Sequence, residues 1–176
     1  MDRNLHPRHA SCIRTCRAGV PVPVMADVER RHEMILKLKV TCVRGAYLRG
    51  ECIRIIAMED FASLADLHEM IQDAVLFDRD HPFDFYTANS ASPWAEKKRL
   101  TDVEDWDERE SVFHRTQLKD AIPTGRKKLY YWFDFGDDWI FEIRRMRLTK
   151  DDATLSTPRI IERIGVDPEQ YPACNE

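Results

Sequence analysis

The 176-residue sequence lacks any apolar run that approaches the roughly 20 consecutive residues needed by a membrane-spanning helix. This absence excludes an integral membrane protein, and no membrane partner is expected. Low-complexity and collagen-like stretches are also lacking. Apolar residues make up 43% and charged residues 33% of the chain, which is typical of one ordinary soluble domain with tails.

The body of the chain, residues 34–176, does not have a positive net charge. Residues 1–33 carry six Arg and four acidic residues, whereas the remaining 143 residues carry 21 basic and 27 acidic ones. The overall field of such a body does not attract a phosphate backbone, so nucleic-acid binding would require a local basic patch. The candidate patches are the segments 97–99 and 126–128.

The sequence has no apparent secretory signal, and its cysteine count of five is odd. Together these features indicate a reducing compartment, so we expect a cytoplasmic protein. Cys42 and Cys52 are predicted to lie on neighbouring strands as buried thiols, not as a disulfide.

The first 33 residues show no periodic apolar pattern. They contain His6, His9, Cys12 and Cys16, which are four potential zinc ligands, but no apolar residues surround them to build a folded site. We therefore interpret residues 1–33 as a flexible basic N-terminal extension.

Strand patterns occur near both ends of the body. Residues 34–43 alternate between apolar and polar side chains, and residues 52–57 form a second β-rich run after a glycine-containing turn. This pair is predicted to be an antiparallel hairpin. Residues 129–134 and 139–143 predict a second hairpin, and residues 83–86 predict a short middle strand.

The clearest helix is predicted over residues 63–76. Ser63 is a typical N-cap, and Asp66, three residues further on, completes a relative of the capping box. Apolar residues then recur every three or four positions and predict a helix with one buried face. His68 borders that face, and we interpret it as a hydrogen-bonded structural imidazole.

These elements predict an α+β fold: an antiparallel sheet of two hairpins plus a middle strand, packed by one main amphipathic helix and short helical turns. Residues 118–122 are one such turn, and residues 88–110 are interpreted as a long irregular connection. The folded domain is placed at residues 34–148. Residues 149–176, which are polar and contain three prolines, are predicted to wrap the domain as an irregular C-terminal segment.

Four ordered segments carry a family resemblance: Leu64–Ile71, Phe77–His81, Tyr131–Trp139, and Pro158–Ile161 with Pro168–Pro172. In these segments the sequence resembles the plasmid pRiA4b ORF-3-like family over about residues 34–172. The resemblance implies a compact α+β fold and an association with plasmids and mobile elements, but no established reaction. Pro82–Phe83 departs from the leucine–tyrosine-like pair that the family more often has at this position.

Three carboxylates, those of Asp134, Asp137 and Asp138, lie within five residues at the turn of the second hairpin. Hard cations such as Mg²⁺ bind clustered carboxylate oxygens, but Asp and Gly are also the residues that shape a tight turn. We predict that these carboxylates shape the turn, and we expect no metal or other cofactor. The alternative is a metal-dependent hydrolase that uses these three residues with His81.

Six aromatic residues lie between positions 130 and 139. They form either a half-buried part of the core or, with the basic segment 126–128, a stacking platform for single-stranded nucleic acid. Our leading hypothesis is a non-catalytic binding or accessory module with a protein partner, and nucleic-acid binding is the alternative. The predicted binding surface comprises His81, Tyr131, Asp134, Asp137, Asp138 and Trp139.

Overall fold

The computed structural model describes residues 34–101 and 106–172, so the N-terminal extension predicted at 1–33 lies outside the described residues. The helices of the described part are α1 Leu64–Val75, α2 Trp106–Arg115 and α3 Leu118–Ala121, with a 3-10 helix at Asp151–Thr154. None of these helices is long and apolar enough to cross a membrane. The strands are β1 Ile35–Arg44, β2 Cys52–Glu59, β3 Phe83–Ala88, β4 Lys98–Arg99, β5 Lys128–Phe133, β6 Trp139–Arg145 and β7 Arg159–Gly165.

The strands of the described part form one antiparallel sheet in the spatial order β4-β3-β5-β6-β1-β2-β7. Both predicted hairpins are present, since β1 pairs with β2 and β5 pairs with β6. The hairpins join where β1 pairs with β6, with Val40 opposite Ile143. The third predicted strand is β3, which pairs with β5, while β4 and β7 extend the sheet further than predicted. The predicted α+β class is confirmed.

Helix α1 begins where the sequence predicts. The N–H of Asp66 donates to Ser63 Oγ at 3.1 Å, and the N–H of Ser63 donates to Asp66 Oδ2 at 2.7 Å. This reciprocal capping box satisfies two N–H groups that a helix start would otherwise leave without a partner. The apolar stripe of α1 packs into the core of the sheet through Leu64, Leu67, Ile71, Ala74 and Val75.

The interval 88–110 is more regular than predicted. It contains the short strand β4 and the first half of α2. The sequence of α2, WDERESVFHR, conceals the helix because its charged residues leave no apolar stripe. Phe113 anchors it, because this side chain is fully buried and its ring centroid lies 5.2 Å from that of Phe83.

The centre of the C-terminal segment is also regular, so the prediction that residues 149–176 are irregular is wrong there. Strand β7 pairs antiparallel with β2, from Gly165 opposite Cys52 to Arg159 opposite Ala57. It is an edge strand, and its charged residues at 159, 162 and 163 hide the strand pattern in the sequence.

Arg54 attaches this edge strand to the core. Its side chain is 1% exposed, and its Nε donates to the carbonyl of Ala74 near the end of α1 at 2.7 Å. One terminal nitrogen, Nη1, donates to the carbonyls of Ile53 at 2.8 Å and Ile164 at 3.2 Å. The other, Nη2, pairs with Asp167 Oδ1 at 2.5 Å. One guanidinium therefore joins the end of α1, strand β2 and the edge strand β7.

Cys42 and Cys52 are buried free thiols, as predicted. Burial raises the pKa of both thiols, so both are protonated at neutral pH. Because the thiolate is the reactive form of cysteine, neither residue is a ready nucleophile.

Candidate functional site

The aspartate turn between β5 and β6 is held by its own side chains. Asp134 has a positive φ of 49° and Asp138 one of 57°, a conformation that Asp tolerates better than most residues. Asp134 Oδ1 accepts the N–H groups of Gly136 at 3.0 Å and Asp137 at 3.3 Å. The carboxylate of Asp134 thus shapes the backbone, as the turn interpretation predicts.

The turn also contacts the connection between β1 and β2. Asp138 Oδ2 forms an ion pair with Arg44 Nε at 2.9 Å. The carbonyl of Asp137 accepts the N–H of Ala46 at 2.8 Å. Two of the predicted site residues therefore fix one hairpin against the other.

His81 lies at a polar corner beside this turn. Its Nδ1 is 2.9 Å from Asp80 Oδ1 and 3.2 Å from the Tyr171 hydroxyl, and its Nε2 is 3.7 Å from Asp134 Oδ2. The Tyr171 hydroxyl donates to Asp80 Oδ2 at 2.5 Å. Gln170 Nε2 donates to Asp80 Oδ1 at 3.0 Å, so the C-terminal segment is fastened to this corner.

The pKa values of this corner follow from these contacts. The hydrogen bond to Asp80, followed by the charge of Asp134, raises the pKa of His81. Hydrogen bonds from Tyr171 and His81 lower the pKa of Asp80 to about 2. Burial, together with the hydrogen bond to Asp80, raises the pKa of Tyr171 to about 12. The corner therefore favours a protonated His81 beside an ionised Asp80.

This geometry does not favour the alternative of a metal-dependent hydrolase. Of the three predicted aspartate side chains, Asp134 has a carboxylate oxygen 3.7 Å from the imidazole of His81, whereas Asp138 pairs with Arg44. Within residues 34–101 and 106–172, no three His, Cys, Asp or Glu side chains are arranged to hold a metal ion. The carboxylates here are used for turn geometry and for charge pairing.

Tyr131 and Trp139 do not belong to any surface, so their assignment to the predicted binding surface is wrong. Both side chains are 0% exposed, because the faces of β5 and β6 that carry them pack towards α1. The Tyr131 hydroxyl accepts a hydrogen bond from Gln72 Nε2 at 2.7 Å and lies 2.6 Å from His68 Nδ1. Burial lowers the pKa of His68 to about 4, so His68 is the neutral structural imidazole that the sequence predicts.

The aromatic rings on the other face of the hairpin are covered by the chain itself. Tyr130 stacks on Tyr86 with ring centroids 5.1 Å apart, and Phe135 lies 4.4 Å from Trp132. The ammonium of Lys97 lies over both Tyr86 and Trp132, at 5.0 and 5.1 Å from the ring centroids. A platform for bases needs open ring faces, and these faces already have protein partners.

A different surface has the features of a binding site. An open groove of about 380 Å³ lies between the end of β2, one side of α1 and the start of β7. Phe61, which is 40% exposed, borders it, and exposed aromatic side chains are typical of protein-binding surfaces. The apolar floor of the groove consists of Met58, Phe61, Ala62, Met70 and Pro158.

The rim of the groove is acidic. Asp66, Glu69 and Asp73 recur at spacings of three and four and therefore lie along one side of α1, and Glu59 lies across from them. Arg79 pairs with two of these four carboxylates, Glu69 and Asp73, so the rim keeps a net negative charge. We call this feature the acidic groove, formed by Met58, Glu59, Phe61, Ala62, Asp66, Glu69, Met70, Asp73 and Pro158.

The sequence does not reveal the acidic groove. Its rim residues on α1 look like the ordinary solvated face of an amphipathic helix. Its floor combines Phe61 with Pro158, which are far apart in the chain and meet only because β7 pairs with β2. The one local signal is an aromatic residue in the turn just before the helix N-cap.

Residues 35–170 match the family model described as Plasmid pRiA4b ORF-3-like protein, which confirms the resemblance found in the sequence. No curated protein matches the chain at a significant level. A solved structure of a protein of unknown function from Methanosarcina mazei Go1 matches with a TM-score of 0.54 and 19% sequence identity. The match covers 74% of this chain and 70% of that one. The structural likeness supports a shared fold, whereas identity at this level assigns no residue a role.

Proposed function

The chain belongs to the plasmid pRiA4b ORF-3-like family, and on that premise we propose that it is a non-catalytic binding module. Its partner is a protein segment that presents an apolar side chain next to Lys or Arg, and this segment docks in the acidic groove. The proposal includes a cytoplasmic location, which rests on the cysteine usage. It also includes an association with a plasmid or mobile element, which rests on the family resemblance.

The observation that carries this proposal is an open apolar floor inside a ring of carboxylates. Burying one large apolar side chain of a partner on Met70 and Phe61 supplies the main favourable free energy of binding. The rim stays net negative after Arg79 has paired with Glu69 and Asp73, so it attracts cationic neighbours of that side chain and disfavours acidic ones. An apolar anchor flanked by basic residues is therefore the chemistry that fits.

The polar corner at His81 supports the non-catalytic part of the proposal. Asp134 is engaged with backbone N–H groups, Asp138 with Arg44, and Asp80 with Tyr171. A general acid or base must reach a substrate, but these groups are already occupied by partners within the chain.

A selection from a library of displayed peptides tests this function. The full-length protein is the bait, and a selected peptide is then measured by fluorescence anisotropy. We expect the selected peptides to share a large apolar residue flanked by Lys or Arg. Phe61→Ala should weaken binding by about tenfold, the loss expected when an interface anchor is truncated.

The matched control is Trp94→Ala, which removes an exposed aromatic side chain outside the groove. This control should leave the affinity unchanged. The rim is tested with a Glu69→Gln and Asp73→Asn double variant, which should slow association and flatten its salt dependence. Selected peptides that are acidic, or that bind Phe61→Ala as tightly as the unchanged protein, would contradict the proposal.

A further inference from the structure

A second cleft, with the opposite charge, lies at the end of the sheet where β5 begins and β6 ends. Its volume is about 520 Å³, within the roughly 300–1,000 Å³ common for small-molecule sites. The loop between α3 and β5 forms one wall, and the last residues of β6 form the other. We call it the basic cleft for its five cationic side chains, Arg126, Lys127, Lys128, Arg144 and Arg145.

One buried carboxylate organises part of this charge. Glu142 is 8% exposed, and its Oε2 accepts Lys128 Nζ and the Tyr130 hydroxyl, each at 2.9 Å. Its Oε1 accepts the Nε of Arg144. Burial raises the pKa of Glu142, but these three hydrogen bonds outweigh burial and leave it below its usual value. Glu142 is therefore ionised, and it binds the charged ends of Lys128 and Arg144.

The other cations of the cleft are not neutralised. Arg126, Lys127 and Arg145 are exposed, and none of them has an ion-pair partner in the part of the chain that the structure describes. Five cations against one carboxylate leave a net charge of four positive units in a protein whose overall charge is −4. Positive charge concentrated around a concave site attracts anions locally, whatever the sign of the whole protein.

The cleft also has an apolar part. Ile122 and Pro123 are half-buried on the loop wall, and Ile143 lies beneath them. A ligand that suits this site carries several negative charges at one end and a flat or apolar group at the other. A long nucleic acid fits poorly, because its phosphates outside the cleft would face the acidic remainder of the body.

We propose that the basic cleft binds a small polyphosphate ester of the nucleoside di- or triphosphate class. The phosphates contact Lys127, Arg126 and Arg145, while the base packs on Ile122 and Pro123. Arg suits this role because its planar guanidinium bonds phosphate oxygens in pairs. The site is separate from the acidic groove, so the two proposals stand or fall independently.

Calorimetric titration of the full-length protein at low salt tests this site, with ATP, pyrophosphate and a single-stranded 20-mer DNA as probes. ATP should bind with a micromolar dissociation constant and more tightly than either other probe. A Lys127→Glu and Arg145→Glu double variant should weaken ATP binding by at least about tenfold. The control, Lys98→Glu with Lys119→Glu, reverses two exposed charges outside the cleft and should change the affinity by less than about twofold.

Circular dichroism of both double variants should show the unchanged fold, because every altered side chain is exposed. The proposal would be overturned by the absence of binding heat with ATP, by equal ATP affinity in the two double variants, or by tighter binding of the DNA than of ATP. Pyrophosphate that binds as tightly as ATP would also overturn it, because the apolar wall would then contribute nothing.

Discussion

The hydroxyl of Tyr131 lies 2.6 Å from Nδ1 of His68, in the core between α1 and β5. The same hydroxyl accepts a hydrogen bond from Gln72, so this buried oxygen has two polar partners on α1. The His68 ring also stacks on Phe83 with centroids 3.9 Å apart. This buried polar contact fixes the helix on the sheet and depends on a neutral histidine.

His68 should make stability depend on pH. Its pKa is lowered from 6.5 to about 4 by burial, so its contribution is fully present above pH 6.5 and is lost as the pH falls towards 4. The free energy of unfolding, from urea titrations at pH 7 and pH 5, should fall by about 2 kcal/mol more in the unchanged protein than in His68→Gln. His81 shifts in the opposite direction, but it is present in both proteins and cancels. Equal losses in the two proteins would contradict the account.

Asp134 should matter for its hydrogen-bonding geometry more than for its charge. Asp134→Ala removes the acceptor of two N–H groups at a positive φ, so it should cost about 2 kcal/mol of unfolding free energy. Asp134→Asn keeps an acceptor oxygen and tolerates that φ, so it should cost less than about 1 kcal/mol. Asp137→Ala is the control and should be within about 0.5 kcal/mol of the unchanged protein. If Asn proves as costly as Ala, the charge itself is required and the turn interpretation fails.

His81 should titrate above its ordinary pKa of 6.5, because Asp80 is its main partner. Its titration can be followed by NMR of the imidazole carbon protons. Asp80→Asn should lower the pKa of His81 more than Asp137→Asn does, since the hydrogen bond outweighs the more distant charge. If Asp80→Asn leaves the pKa of His81 unchanged, this corner is not arranged as described.

Arg54 should be among the costliest single residues to replace. Arg54→Met leaves the carbonyls of Ala74 and Ile164 without this donor and should cost about 2–4 kcal/mol of unfolding free energy. Arg163→Met is a matched control, since Arg163 also donates to Ala74 but its side chain is 36% exposed. That control should cost less than about 1 kcal/mol. If both variants lose similar amounts of unfolding free energy, the burial of Arg54 does not add to the stability of the protein.

The parts of the fold that follow local patterns are predictable from the sequence. Ser63 and Asp66 mark the start of α1, and alternating residues mark the hairpins. Where local patterns are weak, prediction fails for physical reasons. Helix α2 is held by Phe113 in place of an apolar stripe, and β7 carries charges because one of its edges faces solvent.

The candidate sites are less predictable than the fold. Strand β5 is aromatic on both faces, so its sequence does not say which rings α1 covers, and the prediction that places Tyr131 on the surface is wrong. The acidic groove joins Phe61, Met70 and Pro158 through long-range strand pairing. The basic segment 126–128 is visible in the sequence, but its meeting with Arg144 and Arg145 depends on the register of β5 and β6.

The central claim, that the protein works by docking a cationic, apolar segment in the acidic groove, is tested most directly by methionine-methyl NMR. A peptide from the displayed library is titrated into full-length protein labelled at its methionine methyl groups. Met58 and Met70 line the groove, and Met146 lies outside it. The account predicts shifts at Met58 and Met70, none at Met146, and loss of these shifts in Phe61→Ala. Shifts at Met146 without any at Met70 would contradict it.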